Sequence, residues 1–573
     1  MKSKPPVGGA SKNQTARYPS LGIAIAALGC LSFLMGPLRG NAETYYVDNN
    51  HPSANDGNPG TINLPWRTIQ HAAETIVAGD TVLIRTGTYN EHVYIENDGN
   101  ATAGHIVFSA YPAENPIIDG TGVQESQNGI IVDKTYIKLL GLEIQNWNDN
   151  AIWIENAAHL EISDCEVHDV LCGIGFAYGT YDFEVNRIDV HHFMLYGFDA
   201  SPSGGAACHH GTFNDCVAHT GSDPQQNVDG FAIGHGTQHD FVFNRCETYG
   251  VYDGFDMGEN ENGSQTNAVL NRCSAHECAN GGFKLWGDQV TLVNCLAYHN
   301  GNANIELDWG GNPGTTTLHS CTIVDSETFN IWVENSGDAL HMYNCIVAGS
   351  DNNGLCFEQH DASAYQGDYN IFHDDDGYRA INVGYEDEFT LNQIGSGDWT
   401  AYSGQDVHSQ VVYSLGDLFS DPASCNLHVL ESSAAVDNGT TTDAPAEDFD
   451  GNPRPSGAGF DIGAFEYQFE IGVENQSSDG QVGSMSLGYF PHPVFYATDI
   501  TYTIDEDCSA SLAIYDLLGR QVRLLTSGRQ SPGTYQLTWD GRDDDSARVR
   551  RGSYICRLEV GGRSISRRII MLR

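Results

Sequence analysis

Short segments that end in cysteine recur along the middle of the chain, and their period is the feature that most limits the fold. Six of these cysteines, spaced 30, 27, 22, 26 and 24 residues apart, are Cys216, Cys246, Cys273, Cys295, Cys321 and Cys345. Cys165 and Ile188 extend the series upstream. A repeat of this length indicates a solenoid, in which each repeat buries its apolar face against its neighbours. The sequence therefore predicts a stack of coils.

A second apolar position recurs at similar intervals and sets the register of the coils. Its members are Ile152, Ile174, Phe198, Phe231, Phe255, Phe283, Ile305, Ile331 and Leu355. Short strands separated by Gly and Asn turns are typical of parallel β-coils, which stack about 4.8 Å apart. The pattern of leucine-rich repeats is missing, and propeller blades are longer. We therefore predict an all-β chain with a right-handed parallel β-helix, whose cysteines pack in a core column rather than form a disulfide framework.

Composition changes divide the chain into four predicted segments. Residues 1–42 are typical of a signal peptide, with a basic start, an apolar run and small residues at the exit. Residues 43–470 are assigned to the β-helix and residues 471–488 to a polar linker. Residues 489–573 contain alternating strands separated by turns, which predicts a small β-sandwich. The N-terminal segment predicts export from the cell.

Two local features refine these segments. The stretch Pro65 to Ile76 has apolar residues at helical spacing, so we expect a helix that caps the open end of the solenoid. Within the sandwich, Cys508 and Cys556 are a candidate disulfide pair, although the residues alone do not decide whether a bridge forms.

The charge of the chain excludes some partners. Acidic residues outnumber basic residues by 75 to 27, which gives a formal net charge of −48. Such a chain repels nucleic acid and anionic membrane surfaces, whereas a cation or a metal-bridged substrate fits it. No stretch beyond the leader approaches the ~20 apolar residues of a membrane span. We therefore expect neither a nucleic-acid partner nor a membrane span.

Aligning three successive coils on their phenylalanines brings chemically active side chains together. The aligned strings are Asp229-Gly-Phe-Ala232, Asp253-Gly-Phe-Asp256 and Gly281-Gly-Phe-Lys284. Stacked coils would bring three carboxylates and one ammonium within about 10 Å on one face. Neighbouring carboxylates repel one another unless a cation lies between them, and oxygen ligands from several segments suit Ca²⁺. Lys284 lies beside them, and lysine can be deprotonated whereas arginine cannot.

These strings resemble the calcium and base motifs of family 9 polysaccharide lyases, the pectate lyases with a β-helix. The resemblance implies that Asp229, Asp253 and Asp256 bind Ca²⁺ and that Lys284 abstracts a proton. One position departs from the family pattern: Tyr252 stands where a second adjacent aspartate is usual. The departure removes one ligand from the implied calcium site.

The resemblance implies β-elimination on a uronate polymer. Lys284 would take the proton on C5, and the bond from C4 to the glycosidic oxygen would break to leave an unsaturated end. Lysine must be neutral to act as a base, and Asp256 and Glu306 on adjacent coils would favour its charged form. We therefore expect an alkaline activity optimum.

Structural interpretations stand beside the functional ones. Asp-Gly pairs are common in turns, and Lys284 could form a salt-bridge ladder with Asp256 and Glu306. Two functions thus stay open: a calcium-dependent lyase, or a non-catalytic carbohydrate-binding or adhesin-type β-helix with a structural calcium site.

Three further residues and two histidine pairs receive interpretations of their own. Asp199 falls in the column of Lys284, where it is expected to face solvent. Arg245 and Arg272 are expected to point outward, either toward polymer carboxylates or toward acids such as Asp215. The pairs His191-His192 and His209-His210 are interpreted as surface polar residues.

The last 85 residues or so resemble the immunoglobulin-like module of flagellar hook-capping proteins, which also ends many type IX-secreted proteins. The strings that carry the resemblance are Ile514-Tyr515-Asp516-Leu517-Leu518-Gly519-Arg520, Trp539-Asp540-Gly541-Arg542 and the basic-apolar end from Arg567. The resemblance implies sorting or surface attachment. We thus expect a secreted or surface-attached monomer with an acidic polysaccharide as its substrate.

Overall fold

The computed structural model describes most of the chain after the leader. The described residues are 42–123, 127–200, 206–222, 227–234, 238–258, 267–307, 314–333, 337–350, 355–359, 361–374, 380–384, 387–468, 486–490, 497–504, 507–516, 519–544, 548–549, 552–561 and 563–571. Apart from its last residue, the predicted signal peptide lies outside these ranges, as does most of the predicted linker.

Short parallel strands make up the region from Thr44 to Val429. In chain order they are β1 Thr44–Val47, β2 Thr81–Ile84, β3 Thr88–Tyr89, β4 Val93–Tyr94, β5 Ile106–Ala110, β6 Ile117–Asp119, β7 Ile130–Val132, β8 Ile137–Leu140, β9 Glu143–Gln145, β10 Asn150–Glu155, β11 Ala158–Ser163, β12 Glu166–Ala177, β13 Tyr181–Asn186, β14 Asp189–Ala200, β15 His209–Asn214, β16 Val217–His219, β17 Asp229–Ile233, β18 His239–Asn244, β19 Glu247–Tyr249, β20 Phe255–Met257, β21 Val269–Asn271, β22 Ser274–His276, β23 Gly281–Leu285, β24 Val290–Val293, β25 Leu296–Tyr298, β26 Ala303–Leu307, β27 Thr315–His319, β28 Thr322–Ser326, β29 Phe329–Val333, β30 Ala339–Tyr343, β31 Ile346–Ser350, β32 Leu355–Gln359, β33 Tyr365–Asp368, β34 Ile371–His373, β35 Ile381–Val383, β36 Asp387–Phe389, β37 Gln410–Val411, β38 Phe419–Asp421 and β39 Asn426–Val429. Among these described strands, only the pairs β35–β36 and β38–β39 are antiparallel.

The strands line three faces of a parallel β-helix. The first sheet contains β1, β2, β5, β8, β11, β13, β15, β18, β21, β24, β27, β30 and β33. The second sheet runs through β3, β6, β9, β12, β14, β16, β19, β22, β25, β28, β31, β34 and β37. The third sheet runs through β4, β7, β10, β12, β14, β17, β20, β23, β26, β29, β32 and β35. The right-handed parallel β-helix expected from the repeat is thus confirmed.

One left-handed residue in each coil turns the chain from the first sheet to the second. Among them are Asp215, Arg245 and Arg272, with φ values of 55°, 55° and 59°. The cysteine that follows each of them is fully or almost fully buried. Cys216 Sγ, for example, lies 3.4 Å from the carbonyl oxygen of Val185 on the preceding coil. The cysteines are free and form the expected packed column.

Stacked aromatic rings fill the core beneath the third sheet. Phe198, Phe231, Phe255 and Phe283 pair in register, and successive ring centroids lie 4.7, 4.6 and 5.0 Å apart. Like rings on successive coils bury apolar area while keeping the offset geometry that aromatic pairs favour. The last member of the predicted column is wrong: Ile331 pairs with Phe357 and not with Leu355.

Both ends of the solenoid are covered. The helix α1, Ile69–Thr75, buries Ile69, Ala72 and Ala73, and Thr68 caps its N-terminus. This is the helix that the apolar spacing predicts. Near the other end lie α2 Leu391–Ser396, α3 Asp398–Ser403 and the 3₁₀ turns Ala362–Ala364, Leu415–Asp417 and Pro422–Ser424. Trp399 on α3 is fully buried.

The C-terminal segment forms two antiparallel sheets around its own apolar core. Its strands are β40 Ser486–Phe490, β41 Thr498–Ile504, β42 Cys508–Asp516, β43 Gln521–Gln530, β44 Gly533–Trp539, β45 Gly552–Val560 and β46 Arg563–Met571. The first sheet has the order β40-β41-β44 and the second the order β43-β42-β45-β46. The predicted small β-sandwich is confirmed.

The candidate disulfide in this sandwich is not formed. Cys508 and Cys556 are both free. Cys556 lies opposite Ile514, six residues along β42 from Cys508. Six residues of strand span roughly 20 Å, far beyond the reach of a disulfide.

Candidate active site

The Asp-Gly-Phe strings have a steric origin. A Cβ atom on Gly254 would lie 2.5 Å from the carbonyl oxygen of Gly282 and 2.7 Å from Thr248 Cγ2. The chain therefore passes too close to the second sheet and to the next coil for any side chain here. The following residue, Phe255, turns fully into the core. The acid before the glycine and the residue after the phenylalanine therefore lie on the side of the chain that faces away from the core, where they can approach each other.

The register brings the predicted side chains together. Asp256 on β20 pairs with Lys284 on β23, and Lys284 pairs with Glu306 on β26. Asp199 lies in the same column, two coils before Asp256. It is partly exposed, as expected for a residue at the solvent side. Consecutive coils thus carry an acid, an amine and an acid in one row.

Lys284 makes two ion pairs. Its Nζ lies 2.9 Å from Asp253 Oδ2 and 3.3 Å from Asp256 Oδ2. The side chain is 12% exposed, and Nζ sits 4.3 Å from the centre of the Trp286 ring, within cation–π range. Burial lowers the pKa of Lys284, but the charges of Asp256 and Asp253 outweigh burial, so this pKa lies above its ordinary value. The ammonium form is therefore stabilised.

Asp253 is fully buried, and both of its carboxylate oxygens have partners. Its Oδ1 accepts hydrogen bonds of 2.8 Å from Asn280 Nδ2 and from the Gly281 amide, while Oδ2 faces Lys284. A Cβ on Gly281 would lie 3.1 Å from Asp253 Oδ1, so the glycine leaves room for this contact. The carboxylate is thus held in a fixed orientation.

Asp229 is the least neutralised acid of the group. It is 2% exposed, and its buried Oδ1 has no hydrogen-bond partner among the described residues. Burial, and then the charges of Asp256 and Asp253, raise the pKa of Asp229 to about 8, and Lys284 only partly offsets this. A buried carboxylate without a donor is costly unless it is protonated or bound to a cation.

The donor chemistry of this group fits a hard cation. Asp229, Asp253 and Asp256 offer carboxylate oxygens, the ligand type that Ca²⁺ prefers, and no described residue donates a hydrogen bond to Asp229 Oδ1. In the arrangement described, the ammonium of Lys284 faces two of the three acids, and no three His, Cys, Asp or Glu side chains of the described ranges are grouped as metal ligands. Binding a cation would thus require these acids to turn from Lys284.

Tyr252 lies beside this group. Its side chain is partly exposed, and its amide donates a 2.7 Å hydrogen bond to the carbonyl of Val228. Tyrosine offers no carboxylate there, so the ligand absent from the sequence motif is also absent from the site.

The other singled-out residues have structural partners. Arg245 Nε lies 2.6 Å from Asp215 Oδ1, and Arg272 binds the Phe449 carbonyl and Glu447. Of the two alternatives for these arginines, pairing with the protein's own groups is confirmed.

The interpretation of His191 as a surface residue is wrong. Its ring is 8% exposed and stacks between the rings of His168 and His219. The three rings occupy one position on successive coils of the second sheet, so they shield one another from solvent.

Sequence reasoning missed two residues of the site. Trp286 packs against the Lys284 ammonium, and Asn280 orients Asp253. Both flank the Gly281-Gly282-Phe283-Lys284 string that was singled out, so their closeness to it was the available signal. Their roles depend on the bends that precede and follow β23, which a repeat pattern does not describe.

Among the helices of the described ranges, the longest is α1, and none has the length and apolar composition to cross a bilayer.

The fold and this row of side chains define the class: a parallel β-helix with a cluster of acids and a lysine on its third sheet. Residues 45–314 match the family model described as "Pel9A-like, right handed beta helix region". Residues 497–562 match the FlgD Ig-like domain. Residues 45–314 are thus similar to the Pel9A-like β-helix family, and residues 497–562 to the FlgD Ig-like domain. Both resemblances stated from the sequence are confirmed.

Two curated proteins are similar to parts of the chain. Pectate lyase PEL9 of Emericella nidulans is 27% identical over 260 residues, which cover 44% of this chain and 56% of that protein. The uncharacterized protein YwoF of Bacillus subtilis is 33% identical over 144 residues, or 23% of this chain and 30% of that protein. The chain thus spans between about a third and about half of the length of these relatives.

Solved structures of similar shape include two lyases. The crystal structure of pectate lyase Pel9A has a TM-score of 0.48 and 17% identity, with 74% of this chain and 96% of that chain covered. The alginate lyase from Paenibacillus sp. str. FPU-7 has a TM-score of 0.39 and 14% identity, with 52% of this chain and 98% of that chain covered.

Proposed function

We propose that the protein is a secreted, calcium-dependent polysaccharide lyase that cleaves a pectate-like uronate polymer by β-elimination, with Lys284 as the base. The observation that carries the proposal is the position of Lys284. It is an amine paired with two acids of the preceding coil, and its side chain is 12% exposed and therefore within reach of a polymer on the third sheet. The match of residues 45–314 to the Pel9A-like family model and the similarity to pectate lyase PEL9 support the same reaction class.

The proton transfer is assigned to one atom. Neutral Lys284 Nζ accepts the proton on C5 of a uronate unit, and the electrons of that C–H bond form the C4–C5 double bond. The bond between C4 and the glycosidic oxygen breaks, and the oxygen leaves with a proton from solvent. No water is added across the bond. In the arrangement described, Nζ pairs with Asp253, which Asn280 and Gly281 orient.

Asp229, Asp253 and Asp256 would hold the calcium ion of this proposal. When bound, Ca²⁺ supplies positive charge beside the substrate carboxylate and so makes the C5 proton more acidic. The acids beside Lys284 raise its pKa in the arrangement described, so an alkaline activity optimum stays the expectation.

A specific observation favours a second candidate function. The two ion pairs of Lys284 are also what a purely structural salt bridge would show. Removing either partner would leave a buried charge unpaired, which destabilises a fold. In a non-catalytic carbohydrate-binding β-helix, Lys284 would need only this structural role.

The two candidates differ in one assay. The wild-type chain, Lys284→Ala and Lys138→Ala are each incubated with polygalacturonate and with alginate, and the ultraviolet absorbance of unsaturated ends is followed with calcium and with chelator. Lys138 is a matched control because it is also a lysine paired with an acid, Glu161, but on the first sheet.

The lyase proposal expects activity in the wild type and in Lys138→Ala, loss by a factor of at least ~10³ in Lys284→Ala, and loss with chelator. Absence of unsaturated products from every uronate polymer would contradict the lyase and leave the binding candidate. Activity that survives in Lys284→Ala would contradict the assignment of the base.

Secretion and attachment complete the proposal. The sequence of residues 1–42 supports export, and the FlgD Ig-like segment supports attachment at the cell surface. Fractionation of cells that express the full chain, followed by N-terminal sequencing of the exported form, tests both. Export with cleavage near residue 42 is expected, and an intact chain retained inside the cell would contradict it.

A further inference from the structure

A partly exposed cysteine contacts a histidine on the second sheet, away from the row of Lys284. Cys425 lies between the 3₁₀ turn Pro422–Ser424 and β39, in the hairpin that β38 and β39 form. Its Sγ is 3.6 Å from Nδ1 of His299, which directly follows β25. Among the cysteines whose side chains the structure describes, only Cys425 and Cys508 are not buried. Cys425 is thus a thiol that solvent can reach and that faces an imidazole.

Asp325 faces the other nitrogen of the His299 ring. Its Oδ2 lies 3.7 Å from Nε2 of His299, an ion-pair distance. The two residues occupy equivalent positions on successive coils, with φ values of 53° and 54°, and the amide of His299 donates a hydrogen bond to the carbonyl of Asp325. A Cβ on Gly349 would lie 2.5 Å from Asp325 Oδ1, so the glycine leaves room for the carboxylate. A thiol, an imidazole and a carboxylate are therefore in contact in the order of a nucleophile, its base and the group that orients the base.

Apolar packing holds the hairpin against the second sheet. The hairpin contributes Phe419, Leu427 and Val429 to an apolar core that also contains Leu296 and Val324, and all five are buried. Leu296 lies on β25, which precedes the histidine, and Val324 lies on β28, which carries the aspartate. The contact between the thiol and the imidazole is therefore fixed by the core beneath both segments.

The ring of His299 carries a proton near neutral pH. The carboxylate of Asp325, and then the thiol group of Cys425, raise the pKa of His299 to about 10, and burial offsets this only in part. An imidazolium beside a thiol stabilises the thiolate, which is the form that reacts. The geometry and the charge of His299 thus both favour a reactive thiol.

Acidic groups lie near this contact. Tyr298 packs edge-on against His299, with ring centroids 5.6 Å apart, and the charges of Glu247 and Glu277 act on Tyr298 together with that of Cys425. The formal net charge of the whole chain is −48. These charges repel an anionic reactant. The reactant that suits this thiol is therefore uncharged.

We propose that Cys425 is a modification site that exchanges with uncharged low-molecular-weight disulfides, with His299 as its proton partner and Asp325 as the residue that orients His299. The thiolate Sγ attacks one sulfur of the disulfide and forms a new S–S bond, while the original S–S bond breaks. The departing thiolate keeps the electron pair of the broken bond and takes the proton of the His299 imidazolium. Cys425 is oxidised to a mixed disulfide, and the departing sulfur is reduced to a thiol. This reaction is independent of the proposed lyase activity.

Reaction of the full, folded chain with a neutral dipyridyl disulfide tests the proposal. The absorbance of the released pyridinethione gives the rate, and peptide mapping by mass spectrometry locates the modified cysteine. We expect Cys425 to react at neutral pH at least about tenfold faster than Cys508, the matched cysteine that is also partly exposed. Cys425→Ser should remove the fast phase, and Cys508→Ser should leave it unchanged.

Two variants separate activation by His299 from simple exposure of the thiol. His299→Gln should slow the reaction at Cys425 at least about tenfold, and Asp325→Asn should slow it about threefold, because each weakens the positive charge that faces Sγ. His428→Gln is the matched control. His428 lies on the same hairpin and pairs with Asp450 at 2.8 Å, so this variant should keep the rate within about twofold of the wild type.

The buried cysteines of the core column report on folding in the same assay. A variant that unfolds exposes them, and additional thiols then react, so Asp325→Asn gives the result if His299→Gln does not fold. Equal rates at Cys425 and Cys508 would overturn the proposal. A folded His299→Gln or Asp325→Asn protein whose Cys425 reacts as fast as in the wild type would also overturn it.

Discussion

At the scale of single residues, the acids around Lys284 differ in how far they are neutralised. Asp253 has two hydrogen-bond donors and the ammonium, and Asp256 shares the ammonium. Among the described residues, neither a hydrogen-bond donor nor the ammonium contacts the buried Oδ1 of Asp229, and the pKa of Asp229 is raised to about 8. Keeping Asp229 in this cluster therefore costs free energy, either as a buried charge or as a protonated acid, and both a bound cation and the loss of the acid would relieve that cost.

Asp229→Asn is expected to act in opposite directions with and without calcium. In chelator, the variant should be about 1 kcal/mol more stable than the wild type, because it removes an acid that burial and neighbouring acids make costly to keep in the fold. Added calcium should stabilise the wild type by up to about 2.7 kcal/mol at 100 times its Kd, and the variant by less. Thermal melting of both proteins in chelator and in calcium measures the difference.

Asp215→Asn provides the control, since Asp215 pairs with Arg245 on the first sheet. That variant should lose stability equally with and without calcium. An identical calcium increment in the wild type and in Asp229→Asn would contradict the assignment of Asp229 as a ligand.

At the scale of elements, the second sheet carries a ladder of stacked rings. His168, His191, His219, Tyr249 and His276 follow one another on β12, β14, β16, β19 and β22, with centroids 4.8 to 5.2 Å apart. Each histidine Nε2 faces an acid of the preceding coil at 3.0 to 3.3 Å. The ladder thus joins the coils by ring stacking and by paired charge.

His168 should make the stability of this ladder depend on pH. The hydrogen bond to Glu143 raises the pKa of His168 to about 9, against a partial lowering by burial. A histidine with a raised folded-state pKa stabilises the fold fully below its unfolded value of about 6.5, and this stabilisation is lost as pH rises through about 9. The wild type should exceed His168→Gln by about 1–2 kcal/mol more at pH 6 than at pH 9.5.

Urea unfolding at pH 6, 8 and 9.5 measures this difference. His210→Gln, which alters a histidine 56% exposed at its side chain, is the control and should change stability little. A constant difference between the wild type and His168→Gln across this range would contradict the ion-pair account.

The periodic part of the fold was predictable because identical environments repeat. The column of cysteines and the phenylalanines at 231, 255 and 283 repeat one environment per coil, so spacing alone yields the register of Asp256 with Lys284. The ladder of His168 and His191 was missed because its members alternate with tyrosine and appear polar. The contacts of Trp286 and Asn280 depend on single bends between strands, where nothing repeats.

At the scale of the whole molecule, the chain has separate apolar cores. The main core of the β-helix extends from Tyr45 to Trp399, and a second one near its end reaches Phe465. The core of the C-terminal sandwich contains residues from Ile500 to Met571. Because these sets share no residue, each part can retain its packing when the other is removed.

Deletion of residues 471–573 is therefore expected to leave catalysis intact. The truncated chain should keep kcat and KM on its best polymer within about twofold and lose retention at the cell surface. Activity and melting of the purified truncated and full chains, together with cell fractionation, measure the two effects. A truncated chain that is folded but inactive would show that the C-terminal segment contributes to the site.

The proposed function requires Lys284 to act as a base and not only as a salt-bridge partner, and Lys284→Arg separates these two roles. Arginine keeps the positive charge toward Asp253 and Asp256 but cannot be deprotonated at accessible pH. We predict that the variant keeps its melting temperature within a few degrees and its binding of uronate oligosaccharides, while the rate of formation of unsaturated ends falls at least ~10³-fold at every pH. A folded Lys284→Arg protein that releases unsaturated ends at a rate near that of the wild type would contradict the account.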